Sequence, residues 1–262
     1  LALINEEMGN KKVAVGLYKN AIKYDPDNLG FHYNLSRIDE TFFNNNNIKN
    51  VKRILKNEKN SNFNKSSGFF ILAHDQRIKI DLKKEFKYLT EAHKYFHLSN
   101  EKVNNQISFY WIRLMPKIIK KFNFSSEKQI PKKIKPIFIM GLPRSGSTLI
   151  ENILCSGKKT IPNGGETAII NRIFIDDNKK FFSEKKFLDS NEKLEINKNS
   201  FVQKTINQYK LLNLLDKNEE NIFTDKSLEN FFFIELIVEL FPYSKIVICK
   251  RNIFQIIISM YQ

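Results

Sequence analysis

The segment from Gly141 to Thr148 contains the residues best suited to bind a phosphate-like group. It follows a short apolar run at Ile137–Met140 and precedes an amphipathic stretch at Ser147–Cys155, a pattern that predicts a strand, a turn of small residues and a helix. Backbone N–H groups of residues 145–148 would point at a bound anion, and the start of the helix adds its positive end. The sequence therefore predicts an anion-binding loop.

The loop has the glycine spacing of a nucleoside-triphosphate loop but lacks its lysine. Gly141 and Gly146 are separated by four residues, as in the pattern that continues with Lys and then Ser or Thr. Ser147 occupies the lysine position, Thr148 follows it, and a cation stands earlier, at Arg144. Because that lysine contacts the β- and γ-phosphates, the sequence indicates a P-loop-like segment that does not serve ATP hydrolysis.

Three further polar elements follow the loop, namely Gly164-Gly-Glu-Thr167, Thr224-Asp-Lys-Ser227 and Lys250-Arg251. The second and third come after apolar runs that predict strands, whereas no clear strand precedes the first. Ligands of open α/β sheets bind at the carboxyl ends of strands, so we expect these elements near the loop. Ser259 lies eight residues after Arg251, which is two turns of a helix with about 3.6 residues per turn.

The alternation of strands and helices from residue 136 onward predicts an α/β fold with a parallel sheet. Short strands are predicted at Ile222–Thr224 and Lys245–Cys249, and helices at Leu228–Leu240 and Asn252–Tyr261. Residues 136–262 are therefore expected to form one domain. Since the chain ends inside a predicted helix, we expect this domain to be incomplete at its C-terminus.

Residues 1–124 predict an α-helical array that resembles tetratricopeptide repeats. Residues 1 to about 28 agree with that repeat at six positions, Ala2, Gly9, Ala14, Tyr18, Ala21 and Pro26. Phe69–Asn100 predicts two more helices, and Asn44–Asn47 predicts a polar loop. One repeat cannot bury its own apolar face, so we expect upstream repeats that this fragment lacks. The polar, proline-containing residues 125–135 are interpreted as a linker.

Taken in order, the four polar elements resemble sulfotransferases that use 3′-phosphoadenosine 5′-phosphosulfate (PAPS). The series is most similar to bacterial proteins that join tetratricopeptide repeats to a sulfotransferase domain, and more distantly to tyrosylprotein sulfotransferases. The resemblance covers about residues 132–262. It implies transfer of a sulfonate to a hydroxyl acceptor, with no metal. The implied donor-binding residues are Arg144, Ser145, Gly146, Ser147 and Thr148 for the 5′-phosphosulfate, and Arg251 and Ser259 for the 3′-phosphate.

The same resemblance implies catalytic roles for three residues. Glu166 matches the general base that acts on the acceptor hydroxyl, and Lys226 matches the lysine that neutralises charge developing during transfer, while Arg144 belongs to both the catalytic and the donor-binding set. The sequence departs from the family where Pro and Asp commonly follow the arginine, because Ile253 and Gln255 stand there. The acceptor stays open between protein tyrosine, a carbohydrate, a lipid and a small alcohol. A helical array that could hold a peptide favours a protein acceptor.

Composition restricts the partners and the compartment. Forty-three Lys and Arg against 28 Asp and Glu give a net charge of +15, which favours anionic ligands, but no nucleic-acid module is evident. No apolar run is long enough to span a membrane. Cys155 and Cys249 form no disulfide or metal pattern, so a reducing, cytoplasmic location is expected, although a leader could precede the fragment. His93 and His97 lack a third ligand, and no metal is expected.

Two other classes of function remain open from the sequence. One is a nucleotide kinase or NTPase with a degenerate loop, against which Ser147 argues and for which Asp225 is the only strand-end candidate to bind magnesium. The other is a binding protein whose helical array recruits a partner while the α/β part is catalytically inactive.

Overall fold

Residues 1–125, 132–157, 160–179, 193–215 and 221–261 are described by a computed structural model. Contacts divide the chain into two units, Leu1–Ile107 and Ser108–Gln262, and each unit has its own buried apolar cluster. The middle of the predicted linker, residues 126–131, lies outside the described residues.

Helices account for the regular structure of the first unit. They are α1 (Ala2–Glu7), α2 (Lys11–Tyr24), α3 (Leu29–Ile38), α4 (Asn45–Leu55), α5 (Asn62–Ile78), α6 (Leu82–Ser99) and α7 (Glu101–Ser108), with a 3₁₀ turn at Glu40–Phe42. The predicted helical character of this region is confirmed. The turn between α1 and α2 falls at Gly9, whose φ of 79° is in the left-handed region that glycine adopts readily.

Side-chain caps define several of these helix starts. Ser61 caps α5 and Asp81 caps α6, each accepting a hydrogen bond from a backbone N–H three residues on. Asn44 does the same for α4, through a 3.0 Å bond from the Asn47 N–H to its side-chain oxygen. The prediction of a polar loop at Asn44–Asn47 was therefore wrong, because the first asparagine caps a helix that the others begin.

Close packing between helices depends on small residues in the first unit. Ala14 on α2 is fully buried, and the Ser66 hydroxyl of α5 donates to the Ala92 carbonyl of α6 at 3.0 Å. A Cβ added at Gly68 would come within 2.7 Å of a Leu29 methyl group. Burial and a hydrogen bond to Glu6 raise the pKa of Tyr18 to about 12, so this phenol stays neutral and joins α2 to α1.

Strands and helices alternate in the second unit. Its elements are a π-helical segment (Phe109–Leu114), α8 (Met115–Ile119), β1 (Phe122–Ser125), β2 (Ile134–Gly141), α9 (Ser147–Cys155), α10 (Ile169–Asp177), β3 (Leu194–Asn197), α11 (Lys198–Leu211), β4 (Asn221–Asp225), a 3₁₀ segment (Leu228–Phe233), α12 (Ile234–Leu240), β5 (Lys245–Cys249) and α13 (Ile253–Tyr261). The predicted helix at Leu228–Leu240 thus begins as a 3₁₀ segment. Its Asn230 donates to Asp225 at 3.2 Å, which holds this turn against the end of β4.

The central sheet has the order β4-β2-β5, and both pairings are parallel, as predicted for an α/β domain. Phe138 pairs with Asp225 of β4, and Gly141 pairs with Cys249 of β5. The carboxyl ends of the three strands therefore lie side by side. A second parallel pair, β1 with β3, forms a separate small sheet.

Residues 108–124 belong to the second unit, although the sequence analysis assigned them to the helical domain. Leu114, Met115, Ile118 and Phe122 are buried in the apolar cluster of that unit. Their apolar spacing is helical, as expected, but it faces a sheet-containing core. Helix periodicity alone does not reveal which core a helix packs on.

Candidate functional site

The loop after β2 is shaped as an anion cradle. Arg144 and Gly146 have φ angles of 64° and 95°, so the chain turns sharply before α9 begins at Ser147. Gly146 is the N-cap residue, no side chain caps this helix, and its first turn contains no acidic residue. The N–H groups of the first turn therefore remain available to bind an anion, and the helix dipole favours negative charge there.

Ser145 supplies an independent sign that the loop fits a phosphate-like group. Its side chain is only 9% exposed, and its hydroxyl has no hydrogen-bond partner among the described residues. A buried hydroxyl without a partner is costly, and an anion's oxygens in the cradle would accept its proton. A Cβ at Gly141 would lie 2.6 Å from the Cys249 carbonyl and 3.1 Å from this hydroxyl, so glycine keeps the space open.

Two arginines and a serine meet beside the cradle. Arg144 Nε donates to Ser259 Oγ at 3.0 Å, and Arg251 Nη1 donates to the Arg144 carbonyl at 3.1 Å. The sequence predicted one anion site with Ser259 and Arg251 and another with Arg144, whereas hydrogen bonds join all three residues in the structure. Gln255 accepts from Arg251 Nε at 3.2 Å. The residue that departs from the family pattern thus orients the guanidinium through its side-chain oxygen.

Glu166 and Lys226, the two residues expected to act at the reacting centre, form an ion pair. Lys226 Nζ donates to Glu166 Oε1 at 2.6 Å. The lysine side chain is 6% exposed and the glutamate side chain is 67% exposed. A buried ammonium is poorly screened, so it acts strongly on nearby charge, while the exposed carboxylate stays accessible to an incoming hydroxyl.

The segment that carries Glu166 is held along β4 by backbone hydrogen bonds. Thr224 N donates to the Pro162 carbonyl at 3.1 Å, and Lys226 N donates to the Gly165 carbonyl at 2.8 Å. The Thr224 hydroxyl also accepts from Gly164 N at 3.1 Å. Residues 160–165, the described stretch directly before Glu166, contain no strand. The segment lies at the sheet end because it pairs with β4.

Gly164 has no room for a side chain, which gives a direct test of this segment. A Cβ there would overlap the Thr224 carbonyl oxygen, so Gly164→Ala must push the segment away from β4. We expect Gly164→Ala to destabilise the fold by about 1–3 kcal/mol in urea unfolding. The control is Gly16→Ala on α2, where nothing lies within 4 Å of the added methyl and about 0.5–1 kcal/mol of stabilisation is expected. Equal stabilities for the two variants would contradict the close approach.

Asp225 anchors the opposite side of the same segment. It is fully buried and accepts hydrogen bonds from Thr167 Oγ1 at 2.8 Å, Ser227 Oγ at 2.7 Å and Tyr209 Oη at 2.7 Å. Ser227 Oγ in turn accepts from Ala168 N at 2.8 Å. From the sequence, Asp225 was the candidate to bind magnesium, but in the structure its oxygens accept hydrogen bonds from these donors. In the sequence, this network is indicated by an aspartate at the end of a predicted strand with the hydroxyl residues Thr224 and Ser227 close to it.

Burial perturbs two titratable groups around this network. Complete burial, followed by the charge of Asp225 and the hydrogen bond to it, raises the pKa of Tyr209 well above its usual value. Desolvation of Glu229, together with the nearby charges of Asp225 and Glu166, raises the pKa of that carboxyl. A raised pKa means that Tyr209 and Glu229 resist ionisation, which limits further negative charge beside Glu166 and Asp225.

One cavity of about 910 Å³ lies at this end of the sheet, and only some of the residues described above line it. Its wall includes Glu166, the loop residues Gly141–Pro143 and Arg251. Aromatic side chains line it as well, and among them Trp111 stacks on Phe232 with ring centroids 4.8 Å apart. A carboxylate, a cation and the start of an anion cradle therefore face one space with apolar walls, as in many ligand sites.

Comparison with known proteins finds a family match for residues 136–262. Residues 136–262 match the model of a sulfotransferase family. The match supports a sulfotransferase, hence a transferase enzyme, and it spans the loop, the Glu166–Lys226 pair and the Arg251–Ser259 segment.

An uncharacterized protein of Aquifex aeolicus (strain VF5) is 29% identical over 217 residues, which cover 76% of this chain and 26% of that protein. The chain thus spans about a quarter of the length of this curated relative. No solved structure matches the chain.

The described part of the chain contains neither a cluster of metal-binding side chains nor a membrane-spanning helix. Within the described ranges, no group of three or more His, Cys, Asp or Glu side chains is placed to hold a metal ion. None of the helices described combines the length and apolar character needed to cross a membrane. Cys155 and Cys249 are both free, and Cys249 is buried.

Proposed function

We propose that the protein transfers a sulfonate group from PAPS to a hydroxyl acceptor. The observation that carries this proposal is the joint exposure of Glu166, Arg251 and the start of the anion loop to one cavity. The base that acts on the acceptor and the residues that bind the anionic groups of the donor then face the same space. The family match over residues 136–262 supports the same reaction class.

The donor-binding roles follow from the donors that each residue presents. Ser145 and the first-turn amides of α9 suit the 5′-phosphosulfate, because they combine an unpartnered hydroxyl with uncapped N–H groups. Arg251 and Ser259 suit the 3′-phosphate, for which a guanidinium provides a bidentate, charged donor. When bound, the donor supplies an activated sulfonate whose leaving group is the nucleotide 5′-phosphate.

The Glu166–Lys226 pair suits the acceptor side of the reaction. Glu166 is exposed and can accept the proton of a hydroxyl that enters the cavity. Lys226 holds its ammonium in a buried position within 2.6 Å of that carboxylate, where it can stabilise negative charge that develops on neighbouring oxygens. Glu166 then passes its proton to solvent, to which two-thirds of its side chain is open.

The helical unit is assigned a supporting role in the same proposal. We interpret residues 1–107 as tetratricopeptide-like repeats that hold a protein or peptide acceptor. The paired helices and the small buried residues Ala14 and Ala92 support this interpretation. A cytoplasmic location, expected from two free cysteines, belongs to the proposal as well.

Two measurements on the purified chain test the function. Calorimetry with adenosine 3′,5′-bisphosphate should show saturable binding, and radiolabelled PAPS should deliver label to a mixture of hydroxyl acceptors. Binding without transfer to any acceptor would favour the inactive binding protein. Magnesium-dependent turnover of ATP, with no transfer, would favour the nucleotide kinase or NTPase.

The arginines give a prediction on donor binding. Arg144→Ala and Arg251→Ala should each weaken binding of adenosine 3′,5′-bisphosphate by about 10–100-fold, since each removes a charge-assisted hydrogen-bond donor. Calorimetry measures the loss directly. Arg53→Ala is the control, because Arg53 is also exposed but pairs with Asp27 in the helical unit. Unchanged affinity in both site variants would remove these residues from the donor site.

A further inference from the structure

A buried carboxylate lies inside the proposed site without belonging to the cavity wall. Glu151 is on α9, one helical turn after Ser147, and it is only 2% exposed. Its Oε1 accepts two hydrogen bonds, from Thr224 Oγ1 at 2.7 Å and from Gly165 N at 3.1 Å. Glu151 therefore contacts the residue directly before Glu166.

The two contacts join three separate elements. Thr224 Oγ1 donates to Glu151 and accepts from Gly164 N at 3.1 Å. The helix that forms the anion cradle, the strand that ends at Asp225 and the segment that carries Glu166 are thus connected through two side chains. Because Ser147 and Glu151 lie on one rigid helix, a shift of the cradle would be transmitted to Gly165.

The cost of burying a charge argues that this contact has a purpose. Removing a carboxylate from water is unfavourable unless strong hydrogen bonds compensate. Within the described ranges no lysine or arginine forms an ion pair with Glu151; the donors to it are a hydroxyl and an amide. A leucine would fill a buried helix position at lower cost, but it could not accept from Gly165 N. Charge on the acceptor shortens and strengthens such bonds.

We propose that Glu151 is a positioning residue that sets the place of Glu166 relative to the anion cradle. This inference rests on the proposed sulfonate transfer. Glu151 holds Gly165 from one side of Glu166, while Asp225 holds Thr167 from the other. The Glu166 backbone is therefore fixed on both sides, while its exposed side chain, which pairs with Lys226, faces the cavity.

Positioning differs from proton transfer in its response to conservative substitution. Glu151→Ala removes the acceptor, whereas Glu151→Gln keeps Oε1 in place and removes only the charge. We expect Glu151→Ala to lower kcat by about 100-fold, in line with a displacement of about 1 Å at a reacting group. Glu151→Gln should restore most of that loss, and donor KM should stay within about twofold in both variants.

Thr224→Val tests the same connection without altering a charged residue, and Glu85→Ala controls for loss of a buried carboxylate. Thr224→Val should also lower kcat at unchanged donor KM. Glu85 is buried in the helical unit and pairs with Arg77 at 2.7 Å, so Glu85→Ala should cost stability and leave kcat per binding site unchanged. All rates are divided by sites counted through adenosine 3′,5′-bisphosphate binding, which removes any misfolded fraction.

Amide hydrogen exchange at Gly164 and Gly165 provides a readout that needs no turnover. Both amides should be protected in the parent protein and should exchange at least about tenfold faster in Thr224→Val. The Gly164 amide then loses its acceptor, the Thr224 hydroxyl, and the Gly165 amide keeps an acceptor, Glu151, that Thr224 no longer holds in place. A parent protein that binds but transfers nothing would refute the proposed function, while loss of amide protection would still support the connection. Unchanged exchange and unchanged kcat in Glu151→Ala and Thr224→Val would overturn the inference, as would equal inactivity of Glu151→Gln and Glu151→Ala.

Discussion

Glu166→Gln is expected to lower turnover by about 10²–10⁴-fold while leaving the affinity for adenosine 3′,5′-bisphosphate within about twofold, because the amide cannot accept a proton from the acceptor. The substitution preserves size and the 2.6 Å contact to Lys226 can persist through the amide oxygen. Single-turnover transfer from radiolabelled PAPS, together with calorimetry, separates the two effects.

Glu235→Gln is a suitable control for this experiment. Glu235 lies exposed in the first turn of α12 and lines no part of the cavity. It should transfer at the rate of the parent protein. If Glu166→Gln and Glu235→Gln were equally active, Glu166 would not be the base. A loss of donor affinity as large as the loss of rate would instead assign it to donor binding.

Lys226→Met is expected to produce the second largest loss, about 10²–10³-fold in kcat, because a preorganised cation near the transferring group is removed. Methionine retains most of the buried aliphatic volume, so the fold should persist despite the low exposure of this position. The Lys226 ammonium is expected to act on negative charge that develops in the transition state and not in the bound donor, so donor KM should change little.

Lys198→Met is the control for Lys226→Met, because it removes another lysine that forms an ion pair. Lys198 is also largely buried, at 18% side-chain exposure, and pairs with Glu239 at 2.9 Å. Its substitution should lower stability and leave the rate per binding site unaltered. A rise in donor KM with constant kcat in Lys226→Met would show uniform binding rather than selective stabilisation of the transition state.

The sequence predicted the parts of the fold that depend on local pattern. The apolar run before Gly141 and the run at Lys245–Cys249 form β2 and β5, and the helix at Ser147–Cys155 has the predicted bounds. The turn and the start of the helix after β2 were predicted because glycine spacing and helix starts follow from backbone chemistry. The location of Lys226 and Arg251 at strand ends follows from the parallel order of the sheet.

Features that depend on packing between distant segments were not predicted. Glu151 resembles an ordinary surface glutamate on an amphipathic helix, and only the approach of Thr224, 73 residues later in the chain, makes it a buried acceptor. The same applies to Phe109–Leu114 and α8, whose apolar faces fit either unit by periodicity. A single sequence contains no measure of which distant partner a side chain meets.

The hydrogen bond from Arg251 to the Arg144 carbonyl gives the site a fixed span. One arginine follows β2 and the other follows β5, and these strands are adjacent in the sheet. The backbone positions of the two arginines are therefore set by the spacing of neighbouring strands. Under the proposed function, a nucleoside with anionic groups at both its 3′ and 5′ positions engages both arginines, whereas one with a single anionic group engages only one of them.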